Sequence, residues 1–94
     1  MVIKRHPKFR EWMDGVDVQT RDIIAASIAK LPFGIGDVKR LTNSTLLELR
    51  VHHGPGYRVY FVKRGRQLIV LLAGGTKPTQ GRDISMAERR NKEV

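Results

Sequence analysis

The chain has 94 residues, 18 Lys plus Arg against 9 Asp plus Glu, a formal charge of +9 and no cysteine. That length admits one domain, residues 1–94, with a modest core that buries roughly 60–65% of the unfolded surface. The lack of cysteine excludes disulfides, thiolate metal sites and cysteine nucleophiles, and it fits a reducing cytoplasm.

The positive excess is uneven, +3 over residues 1–47 and +6 over residues 48–94. It favours a polyanion, nucleic acid first, because counterions released from phosphates drive binding without sequence readout. No membrane partner is expected: the apolar run 68–73 is far short of the roughly 20 residues a span needs. Lys4, Arg5, Lys8 and Arg10 interrupt what a signal peptide would keep apolar. Histidine is too sparse for a metal site, and no cofactor is expected.

In chain order, residues 1–5 form a short strand. Pro7 suits the first position of a helix in which Phe9, Trp12 and Met13 share a face before Gly15 stops it. Asp17 caps a second helix whose Ile24, Ile28 and Leu31 repeat at helical spacing until Pro32. From Asp37 the period changes from helical to alternating. A short strand at 38–41 and a turn at 42–44 lead to a strand at 46–52, with Leu47, Leu49 and Val51 inward and Glu48, Arg50 and His52 outward.

Gly54-Pro55-Gly56 reverses the chain. Strands at 57–63 and 66–73 follow, with Arg64-Gly65 read as a two-residue hairpin loop. That loop pairs Lys63 with Arg66, which sets Tyr57, Val59 and Phe61 with Leu68, Val70 and Leu72 on a core face. It leaves Arg58, Tyr60, Ile69 and Leu71 beside Arg50 and His52 on an open surface suited to stacking a base and holding a phosphate. Gly74-Gly75 turns the chain off the sheet, and Lys77 follows. A last helix opens near Thr79, with Ile84 and Ala87 on one face.

This β-α-α-β-β-β-β-α order is an α+β class with a small, mostly antiparallel sheet, an N-terminal helical hairpin and a C-terminal helix. With GPGYRVYF after ELRVHH, AGGTKPTQGRDI closing the sheet, and FREWMDG and GDVKRL before it, the chain closely resembles the RelE/ParE superfamily of type II toxin-antitoxin toxins. Within it the match is to the HigB-like addiction-module killer subgroup, over nearly the whole chain. The resemblance implies a ribosome-dependent endoribonuclease, an mRNA interferase that cuts mRNA in the decoding site and stops translation and growth. It implies as partners the ribosome, mRNA, a cognate HigA-like helix-turn-helix antitoxin, and operator DNA bound by the toxin-antitoxin complex. The ParE branch instead poisons DNA gyrase, and fold alone does not choose between them.

Cleavage by the 2′-hydroxyl needs a base at that hydroxyl, a cation at the phosphate and a proton for the leaving 5′-oxygen. Arg58 suits the phosphate, since its guanidinium holds two oxygens and is always charged. The resemblance gives that work to an arginine after Gly56-Tyr57; the alternative is a sheet arginine paired with Glu48. Lys77 follows the glycine pair where the ribonuclease branch places a catalytic cation. Arg50 is a second phosphate ligand or a solvated strand residue. His52, with an ordinary pKa near 6.5, is the economical proton carrier.

Tyr60, Lys63, Arg64, Arg66 and Arg82 complete the expected RNA-binding surface. One departure is plain: a tyrosine that the ribonuclease branch uses in its last segment aligns near Asp83, so His52 or Asp83 must supply that group, unless Asp83 only complements a helix dipole. Two other classes stay open, a gyrase inhibitor without nuclease chemistry and an inactive basic RNA-binding module.

Overall fold

The computed structural model describes residues 1–93. It runs β1 (Val2–Arg5), α1 (Pro7–Asp14), α2 (Val18–Ala29), a 3-10 turn (Leu31–Phe33), β2 (Asp37–Arg40), β3 (Leu47–Val51), β4 (Tyr57–Arg64), β5 (Leu68–Thr76), a second 3-10 turn (Lys77–Thr79) and α3 (Gln80–Glu93). The local signals explain the helix starts. The His6 ring accepts from the Lys8 amide and Pro7 opens α1, while the Asp17 carboxylate accepts from the Thr20 amide at 3.1 Å. Gly34, at φ 72°, ends the first 3-10 turn in the left-handed region that glycine tolerates.

All the strands join one sheet in the order β1-β5-β4-β3-β2. The β2-β3-β4-β5 run is antiparallel, and β1 lies parallel to β5, pairing Val2 with Leu68 and Arg5 with Leu71. The class is α+β with a five-stranded mixed sheet. No helix among the described residues is long and apolar enough to cross a membrane.

The register of β4 on β5 differs from the sequence expectation. Arg64 pairs with Leu68, so Gly65, Arg66 and Gln67 form the loop, with Gly65 at φ 62°. One residue more in a hairpin loop turns every side chain of the following strand to the other face. Ile69 and Leu71 therefore join Val59 and Phe61 under the helical hairpin, and Leu68, Val70 and Leu72 go with Tyr60 and Val62 to the opposite side. Between Tyr60 and Phe61 the ladder shifts again: Tyr60 pairs with Ala73 and Phe61 with Leu71, leaving Leu72 as a bulge.

Both faces are covered. On one, Phe9, Met13, Ile24 and Ile28 pack on Leu49, Val59, Phe61 and Leu71, with Trp12 and Tyr57 half-buried at the margin. On the other, Ala87 and Ile84 of α3 pack on Leu46, Tyr60, Val62, Val70 and Leu72. Fully burying such side chains is worth about 1.5–3 kcal/mol each.

Gly74 and Gly75 do not turn the chain away; they are the seventh and eighth residues of β5. A Cβ on Gly74 would run into the Trp12 ring, and one on Gly75 would overlap the Asp83 carboxylate. Neighbouring strand residues point to opposite faces. The pair therefore lets α1 approach from one side and α3 from the other.

Candidate functional site

Cross-strand pairing puts Asp37, Arg50 and Arg58 in one row over β2, β3 and β4, with Gly75 of β5 next to Arg58. Glu48 and Tyr60 form the neighbouring row on the same face. This places Arg50, Arg58 and His52 together, at the end of the sheet where Lys77 leaves β5.

Each of those three side chains meets a carboxylate. Arg50 Nη2 donates to Asp37 Oδ1 at 3.0 Å, and His52 Nε2 lies 2.6 Å from Asp37 Oδ2. Both contacts hold the Asp37 carboxyl below its ordinary pKa, the His52 bond most strongly and the Arg50 bond next. With Asp37 ionised, its contact with His52 is made by an Nε2–H donor, and in the neutral ring that tautomer leaves the lone pair on Nδ1. The ring is 74% exposed, open to a ligand.

Arg58 Nε donates to Glu48 Oε1 at 2.6 Å, with the two side chains 17% and 3% exposed. The Gln80 amide of α3 donates to the other Glu48 oxygen at 3.4 Å. This is the pairing that stood as the alternative for Arg58. It fixes the guanidinium through Nε and leaves Nη1 and Nη2 without a hydrogen bond among the described residues. A planar cation held by its edge keeps the fork geometry that phosphate oxygens match.

Tyr60 is not a surface group. Its side chain is fully buried under α3, and its hydroxyl has no hydrogen-bond partner among the described residues, the nearby Gln80 amide donating instead to Glu48. Burial, and then the Glu48 charge, push its pKa upward. Base stacking by Tyr60 is thus corrected: α3 closes the face that was read as open.

Asp83 is buried at 3% exposure in the first turn of α3 and accepts from the Thr79 hydroxyl at 2.5 Å. The Arg82 guanidinium lies 3.5 Å from its other oxygen. Lys77 is exposed directly beyond β5 and makes no ion pair among the described residues.

Lys63, Arg64 and Arg66 sit apart, at the opposite end of β4. Arg64 lies six residue steps along β4 from Arg58, about 20 Å at the usual rise. Arg64 is tied to α3 through the Asn91 carbonyl and side chain, each at 2.7 Å. These cations share no phosphate with Arg58, though one nucleic-acid strand could pass both.

Asp37 is the residue that sequence reasoning missed. The available signal was hairpin arithmetic: with residues 41–46 as the loop, antiparallel pairing sets 37 opposite 50.

A Haemophilus influenzae protein, itself described as uncharacterized, is 39% identical to this chain over 88 residues, covering 92% of this chain and 88% of that protein. No family model matches the chain.

Proposed function

The chain belongs to one family with that Haemophilus influenzae protein, and from this premise we propose that it is a RelE/ParE-like toxin of the HigB-like subgroup. It acts in the cytoplasm as a ribosome-dependent mRNA endoribonuclease and is neutralised by a cognate helix-turn-helix antitoxin. The observation that carries the reading is an exposed histidine braced by a carboxylate, beside two arginines in adjacent strands.

In this reading Arg58, with Arg50 beside it, receives the scissile phosphate through its free Nη groups. His52 Nδ1 takes the proton of the 2′-hydroxyl as that oxygen attacks phosphorus. The phosphorus to 5′-oxygen bond breaks, and the Lys77 ammonium gives the leaving oxygen its proton. The products are a 2′,3′-cyclic phosphate and a 5′-hydroxyl, so the nucleophile comes from the RNA itself.

A second reading draws on the same ion pairs. Glu48 and Asp37 already neutralise Arg58 and Arg50, which suits a protein that docks without chemistry, either a toxin on DNA gyrase or a non-toxic RNA-binding module. Primer extension on a reporter mRNA, with and without translating ribosomes, separates the two. Ribosome-dependent cuts that fall by about two orders of magnitude in Arg58→Ala and in His52→Ala are expected, the scale of a lost transition-state contact. Growth arrest with no cuts and with DNA-damage signalling would move the assignment to gyrase. RNA binding without cuts or arrest would leave a binding module.

A further inference from the structure

Phe33, Ile35 and Val38, which are 79%, 56% and 41% exposed, follow one another between α2 and the middle of β2. Ile35 and Val38, with Leu31, Gly36, Phe61 and Lys63, line a cavity of about 120 Å³. At about 30 Å³ per water-sized group, that is room for one aliphatic side chain.

The cavity opens beside an unpaired edge. β2 hydrogen-bonds only to β3, so its outer N–H and C=O groups face away from the sheet. Alternation puts Val38 and Arg40 on the face of Leu49 and Leu47, the side on which Phe61 and Lys63 also lie. The bordering charges are of one sign. Lys39, Arg40 and Lys63 are exposed and make no ion pair among the described residues, while the Asp37 carboxylate is taken by Arg50 and His52.

Those cations decide which strand can add there. A second copy pairing through the same edge would bring Lys39 and Arg40 against themselves, a like-charge contact that disfavours self-association. An acidic strand meets no such repulsion, and an apolar residue on its inner face fits the cavity. We infer that the β2 edge docks an extended acidic segment of a partner protein, which adds outside β2 as a sixth strand and seats one aliphatic side chain between Ile35 and Val38. The inference goes beyond RNA cleavage and does not depend on it.

The test is fluorescence anisotropy with a labelled short peptide of alternating glutamate and isoleucine. Three comparisons accompany it: the same peptide with lysine for glutamate, a version N-methylated at alternate amides, and the protein variants Val38→Asp, Ile35→Glu and Lys63→Glu. Binding is expected to weaken about tenfold or more in each variant, to vanish with the lysine and N-methylated peptides, and to slow hydrogen exchange of the β2 amides. All three substitutions are at exposed positions, and circular dichroism identifies any that unfolds, the others then carrying the test. No binding, or binding insensitive to N-methylation and to all folded variants, overturns the proposal, as does sedimentation showing a dimer that Val38→Asp dissolves. Cleavage assayed on the same samples reports on the ribonuclease reading separately.

Discussion

The two faces of the sheet are built to different specifications. Under the helical hairpin the cover is hydrocarbon, Phe9, Ile24 and Ile28 against Val59, Phe61 and Leu71, and no charged side chain is buried in that cluster. Under α3 the same sheet buries Glu48 and Asp83 together with an unpartnered Tyr60 hydroxyl. Burying polar groups costs free energy unless every one is paired, so the second face is the weaker packing solution. The contrast separates a face that holds the fold from one that holds Arg58 in place.

That contrast can be broken in graded steps. The largest effect belongs to the dry face: Phe61→Ala should cost about 3–5 kcal/mol in urea unfolding, because a fully buried ring leaves a cavity. Next comes Glu48→Ala, expected to cost about 3 kcal/mol since it leaves the Arg58 guanidinium mostly buried and unpaired. A loss under about 0.5 kcal/mol would show that α3 moves aside readily and that the polar face is not closed in solution.

Tyr60→Phe removes a hydroxyl that has no partner, so stability should hold to within about 1 kcal/mol or rise. A larger loss would reveal a bond that the hydroxyl makes in solution. The smallest effect is read as a pH dependence. The Asp37 pKa is lowered from 3.8 in the fold, so its contribution is present above that value and is lost as pH falls through the lower folded one. The melting-temperature gap between the parent and Asp37→Asn should therefore be visible near neutral pH and close in acid. A gap unchanged across that range would detach Asp37 from His52 and Arg50.

How much of this was legible follows from where the information lies. The N-terminal strand, both hairpin helices and the Asp17 cap were readable because each rests on neighbours within a turn or two. So was the grouping of Arg50 with His52, a matter of strand alternation. The β4–β5 register was not, since Arg64-Gly65 and the observed Gly65-Arg66-Gln67 are both acceptable loops and differ by one residue. That residue misplaced Ile69 and Leu71 together, whereas Tyr60 was set on the right face and its cover by α3 was missed. Gly74 and Gly75 read as a bend because glycine marks turns; their actual role depends on Trp12 and Asp83, partners remote in sequence or across a turn. Asp37 likewise became part of the site only once β2 was registered against β3.

The parallel pairing of β1 with β5 has a consequence in time. Val2 waits for Leu68, so β1 has no place in the sheet until β5 is present, and closing so long a loop is entropically late. Pulse-labelled exchange during refolding should find the β1 amides protected after those of β4; earlier protection would contradict this order. A sheet that lacks β5 thus leaves β1 unpaired, and the five strands become one unit in a single late step.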